Sequence, residues 1–171
     1  MKNLFFLIAA MFLTTGICAQ DLFSIPEVPV EKKHQNMLGQ MDAMATVSIH
    51  FAKTQGLTAA DYGKYVGEQF KNSWNKEAGF EGFVKGMLYN TSCFLSDPGI
   101  EIIINTSEKV KIKSHLIGHR VKKYEPFYGI TYKEYIEFYE AAMSTIGDYL
   151  GSKIEFSYDE EWLYTTITKK K

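Results

Sequence analysis

Two cysteines and four prolines are few for 171 residues, and neither sign of charge is in excess. Cys18 and Cys93 cannot build the disulfide framework of a small secreted scaffold, and no CxxC or HExxH spacing marks a zinc site. So little proline excludes collagen-like and proline-rich designs. Nineteen basic against twenty acidic residues leave a net charge of -1. That balance argues against a broad basic surface, so no nucleic-acid partner is expected. No Gly-rich phosphate loop is present. Beyond the N-terminus no apolar run reaches membrane-spanning length, so no transmembrane segment is expected. What remains is a globular composition, 46% hydrophobic and 23% charged, with a length suited to one domain.

The first residues form a secretory address. Lys2 supplies a positive start, Leu4 to Leu13 an apolar run of about ten residues, and Thr14-Thr15-Gly16 a break before the small Ala19. Cleavage between Ala19 and Gln20 is the expectation. Lipoprotein processing at Cys18 is the rival, but bulky Ile17 sits where a small residue is normally needed. Removing residues 1–19 leaves Cys93 as the one thiol of a periplasmic or secreted chain, so stability must come from the core.

Residues 20–35, with Pro26, Pro29 and the charged Glu31-Lys32-Lys33, read as an extended lead-in to a single domain over 36–168; Lys169-Lys170-Lys171 read as a solvated basic tail. Met37, Met41, Met44, Ala45, Ser48, Phe51 and Ala52 recur at three- and four-residue steps, predicting a helix over about 36–54. Gly56 stops it, and Thr58 with Asp61, flanked by Leu57 and Tyr62, has the spacing of a capping box and staple. The second helix is expected to reach about Lys76 and to bury Tyr62, Tyr65, Val66, Phe70 and Trp74. A third follows Gly79, with Phe80, Phe83, Val84, Met87, Leu88, Phe94 and Leu95 on one side, and Asp97-Pro98-Gly99 ends it.

The period then changes. Ile100–Ile104 and Val110–Leu116 predict a hairpin through Thr106-Ser107-Glu108. After the irregular Tyr124–Gly129 stretch, Thr131 and Glu134 form a second capping box with Ile130 and Tyr135 as its staple. The fourth helix places Tyr132, Tyr135, Ile136, Tyr139, Met143, Ile146 and Leu150 within about a 100° arc, and Gly151 terminates it. Lys153–Tyr158 and Trp162–Thr168 make a second hairpin. The order ααα-ββ-α-ββ predicts an α+β fold, an antiparallel sheet from two hairpins with helices to one side and strands pairing with their neighbours in sequence. Gly63-x-x-x-Gly67 and Gly82-x-x-x-Gly86 call for close helix crossings or for a ligand against bare backbone.

Candidate chemistry centres on three places. Cys93 lies off the apolar stripe of its helix, beside Gly82 and Gly86, and is a candidate nucleophile; small free cysteines are otherwise packing residues. His115 and His119, four apart on a presumed strand with Ile117 between them, are candidate acid–base groups, with Glu125 beyond. This spacing lacks a metal motif, so no metal or cofactor is assigned. Tyr124, Glu125, Phe127 and Tyr128 lie outside any expected helix and form a candidate rim for a small polar or zwitterionic ligand, whereas Tyr132, Tyr135 and Tyr139 belong to the core.

From about Leu88 to Thr168 the chain resembles the L-2-amino-thiazoline-4-carboxylic acid hydrolase-like family. The resemblance rests on the Ile-rich strand and on a second strand ending at Ser114-His115. It also includes the Gly-Ile-Thr-Tyr-Lys-Glu-Tyr-Ile-Glu-Phe-Tyr-Glu helix start and the terminal hairpin. It implies hydrolytic opening of a small heterocyclic amino acid. The cysteines that the resemblance implies, at the end of the second strand and in the last hairpin, are matched here by Ser114 and by a thiol-free Tyr158–Thr168 segment. The other class left open is a non-catalytic structural or protein-interaction module whose aromatic loop meets a partner.

Overall fold

Alternating small or apolar and polar residues in Lys109–His115 and Trp162–Lys169 dictate two strands with one buried face each, and these lie side by side at the centre of the sheet. The computed structural model describes residues 26–95 and 99–171. The expected signal segment, its expected Ala19-Gln20 junction, Cys18 and the Asp97-Pro98 part of the predicted turn lie outside the described residues. In chain order the helices are α1 (Val30–Thr54), α2 (Ala59–Phe70) and, after two 3-10 turns at Lys71–Ser73 and Lys76–Ala78, α3 (Gly79–Phe94). Then come β1 (Ile100–Asn105), β2 (Lys109–His115), the short α4 (His119–Lys123), α5 (Tyr132–Tyr149), β3 (Ser152–Tyr158) and β4 (Trp162–Lys169). The fold is α+β, with a four-stranded antiparallel sheet in the order β1-β2-β4-β3.

The two expected hairpins are present, but they are joined by pairing of β2 with β4, so the strands do not pair only with sequence neighbours. Val110, Ile112 and Ser114 face the helices across from Ile167, Thr165 and Leu163, and Ile154 extends that face onto β3. Helix α5 spans the core. Near its start Tyr132, Tyr135 and Ile136 pack with Ile49, Val121 and Leu163. Near its end Ile146 joins Phe83, Met87, Val110, Ile112 and Ile154. Each such side chain, once fully buried, contributes roughly 1.5–3 kcal/mol.

Both capping boxes form. Thr58 accepts from the Asp61 amide and Thr131 from the Glu134 amide, while each carboxylate accepts in return from its threonine's amide. Lys53 of α1 also pairs with Glu134, tying the start of α5 to α1. The Gly63/Gly67 pair is explained by α5. A methyl at Gly63 would overlap the Phe138 carbonyl, and one at Gly67 would lie 2.6 Å from the Ala142 carbonyl oxygen. Gly86 is covered by the Trp74 ring.

Several boundaries differ from the sequence reading. Helix α1 begins at Val30, because Pro29 tolerates a helix start and Glu31-Lys32-Lys33 occupy exposed positions of its first turn. Its inward face is Gly39, Thr46, Ile49 and Ala52; Met37, Met41, Met44 and Phe51 are exposed. Helix α2 stops at Phe70, and its buried face is Ala59, Gly63 and Gly67, which leaves Tyr65 and Phe70 outside. Lys169 belongs to β4, and Lys170 pairs with Asp148 at 2.7 Å, so the tail is only partly free. No helix among the described residues is long and apolar enough to cross a membrane.

Candidate functional site

Strand β2 ends at His115 because both Leu116 and Ile117 are buried, which breaks the alternation. Gly118 then takes a left-handed conformation, φ 64°, and starts α4 at His119. A residue with a Cβ could not sit there without meeting the Tyr135 ring. His115 and His119 are therefore a strand end and a helix start, not residues on one strand face. They nevertheless line the same cavity, of about 970 Å³, at this end of the sheet.

Five segments enclose that cavity. Helix α1 supplies Gln35, Leu38, Gly39 and Asp42, and the end of α3 supplies Phe94 and Leu95. The β2–α4 corner brings His115 to Arg120, with Lys123 and Tyr124 following. Helix α5 contributes Tyr135 and Tyr139, and the β3–β4 turn adds Glu160 and Glu161. His34 of α1 donates from Nε2 to the Cys93 carbonyl oxygen at 3.0 Å, which holds α1 against the end of α3 beside the opening.

Asp42 and Tyr135 form the polar floor. The Tyr135 hydroxyl donates to Asp42 Oδ1 at 3.1 Å. Burial pushes the Asp42 carboxyl above its ordinary value of 3.8, against the pull of the Tyr135 hydrogen bond and of the Arg120 and His119 charges. Burial and the neighbouring Asp42 hold Tyr135 well above 10.0, so its hydroxyl remains a donor at neutral pH. Burial alone pushes Tyr139 up to about 12. The Tyr139 hydroxyl makes no hydrogen bond among the described residues. Neither Arg120 nor Lys123 has an ion pair among them, whereas Lys122 reaches Glu160 at 3.9 Å.

The candidate residues from sequence fall in different places. His115, His119 and Tyr124 line the cavity. The His115 ring stacks on Trp162 with centroids 4.5 Å apart, on the sheet face away from the helices. Cys93, Glu125, Phe127 and Tyr128 are not among the lining residues. Cys93 is a free, exposed cysteine outside the cavity lining that His115 and His119 share. Glu125 is used structurally, its Oε1 accepting from the Tyr132 amide at 3.0 Å. Phe127 bridges to Ile130 and packs edge-on against the exposed Tyr128. The four loop residues are thus a rim on one side only, through Tyr124. Asp42, Arg120 and Lys123 escape the sequence reading, and Tyr135 and Tyr139 serve the cavity as well as the core. Among the described residues no group of three or more His, Cys, Asp or Glu side chains is gathered as a metal site.

Comparison of the chain with protein-family models, with curated proteins and with solved structures finds no match.

Proposed function

We propose that this domain binds a small zwitterionic molecule in the cavity between α1, α4 and α5, and that it does so as an exported protein. One observation carries the reading: a half-buried carboxylate, Asp42, is held by Tyr135 at the floor of a roomy cavity whose walls also bring in His119, Arg120 and Lys123. Groups of both charges converging on a concave, partly apolar space suit a ligand that carries both charges itself. Tyr124 and Tyr139 supply aromatic wall, which favours a compact ring or a short side chain over an extended polymer.

The resemblance of the second half to the L-2-amino-thiazoline-4-carboxylic acid hydrolase-like family makes heterocyclic amino acids the first class to try. Hydrolysis would rest on Asp42 and His119 as acid–base groups, since Cys93 lies elsewhere. Export rests on the N-terminal Lys2, apolar run and Ala19, and intact mass of the secreted form should begin at Gln20.

The test is a thermal-shift screen with amino acids, heterocyclic amino acids and sugars, because a specific ligand raises the apparent Tm. Zwitterions should raise it for the parent protein and not for Asp42→Ala. Sugars alone raising it would overturn the reading. A second reading, a protein-interaction module, is favoured by the exposed Met37, Met41, Met44 and Phe51 on α1 together with Tyr124 and Tyr128. It predicts no small-molecule shift at all.

A further inference from the structure

Gly39 sits buried in the middle of α1, where glycine is an unfavourable helix residue. No left-handed backbone requires it, since the glycines of positive φ lie elsewhere. What fills the place of its missing side chain is the guanidinium of Arg120, which a Cβ at position 39 would meet. Arg120 comes from α4, and α4 is brought close by a second glycine, Gly118, whose bare backbone faces the Tyr135 ring. Asp42 lies one turn beyond Gly39 on α1, yet no carboxylate stands within ion-pair distance of Arg120 among the described residues. A guanidinium seated on helix backbone at a cavity wall, close enough to feel the Asp42 charge but in no direct ion pair, has the features of an oxyanion receptor. Its planar fork matches the two oxygens of a carboxylate.

We infer that Arg120 binds the carboxylate of the ligand, that Asp42 receives its ammonium end, and that Gly39 is the positioning residue that seats the guanidinium. The ligand class is therefore an α-amino acid or a close cyclic relative. This inference rests on the small-molecule reading above and adds to it which end of the ligand each charged group reads. Lys123 faces the same space and adds positive charge on the Arg120 side, with His119 beside it. Glu160 and Glu161 of the β3–β4 turn also line the space, and Glu160 is engaged by Lys122 of α4.

Calorimetric titration with glycine, L-alanine and L-proline, each beside its decarboxylated amine and with inorganic phosphate as a separate probe, tests it. The best amino acid should bind the parent protein about tenfold or more tighter than its amine, the scale of one charge-assisted pair. Arg120→Gln should remove that preference without weakening the amine, whose ammonium meets Asp42 with one fewer cation nearby. Gly39→Ala displaces only the flexible end of Arg120, so its ligand-free Tm should match or exceed the parent's while amino-acid affinity falls and the Arg120 Nε–H resonance shifts. If Arg120→Gln and Gly39→Ala both bind the amino acid as well as the parent, the inference fails and the cavity reading stands. Equal affinity for amine and amino acid also overturns it, as does phosphate binding more tightly than any carboxylate. If no amino acid or amine binds, both the inference and the reading fall.

Discussion

The Tyr135 hydroxyl lies 3.1 Å from Asp42 Oδ1, a bond across 93 positions of sequence that joins α5 to α1 at the cavity floor. Tyr135→Phe keeps the ring and removes the donor. It should lower stability by about 1–2 kcal/mol, the cost of removing the side-chain donor of a half-buried carboxylate. Because the Tyr135 bond pulls the Asp42 pKa down, the variant should also raise that pKa further. Urea denaturation and carboxyl NMR titration read the two effects, and an unchanged Asp42 titration would refute the bond.

Thr131 accepts from the Glu134 amide at 3.2 Å, and Glu134 Oε2 accepts from the Thr131 amide at 2.9 Å. Thr131→Ala should cost about 1 kcal/mol by removing the cap of α5. Denaturation midpoints at constant slope measure it. No change would mean that Lys53 and Glu134 hold the helix start without the threonine.

Helix α1 offers a paired test of which face is inside. Met44 is 68% exposed, whereas Ile49 is fully buried. Met44→Glu should leave stability within about 0.5 kcal/mol, while Ile49→Ala should cost about 2–5 kcal/mol through lost burial and a residual cavity. A large loss from Met44→Glu would show that the methionine face is covered.

These three cases also show what the sequence could and could not reveal. A capping box is a four-residue device, so Thr58 and Thr131 declare it locally, and strand alternation is equally local. The inward face of α1 is not, because Gly39, Thr46 and Ala52 are small and the large methionines dominate any reading of its period. Asp42 reads as an ordinary polar position on an amphipathic helix; what makes it part of a site arrives with α5 and α4, which only the tertiary fold places. Tyr135 and Tyr139 fit the core stripe of α5 correctly, and periodicity cannot tell that they also line a cavity. The histidines fail as a strand pair because Gly118 turns the chain between them.

Asp42 finally makes a prediction about pH. Its folded pKa is raised above 3.8, chiefly by burial, so between 3.8 and the raised value the folded state holds more protons than the unfolded one. Stability therefore falls as pH rises through that window, and the ionised carboxylate weighs against the fold at neutral pH. Asp42→Asn retains an oxygen to accept from Tyr135 and carries no charge. It should match the parent below about pH 3.5, where Asp42 is protonated in both states, and become progressively more stable than the parent above it. Other carboxylates act in the opposite sense. Asp61, Glu134, Glu155 and Asp159 are held low by their partners and lose their contribution as pH falls. They are common to both proteins, so they cancel in the difference between the two curves. The same substitution removes the charge that would receive a ligand ammonium, so amino-acid binding should be lost as stability is gained. Urea denaturation of both proteins from pH 3 to pH 8 gives the comparison. A variant that becomes progressively less stable than the parent as pH rises would mean that the Asp42 charge, beside Arg120 and His119, supports the fold, and would remove the case for a carboxylate kept there for binding.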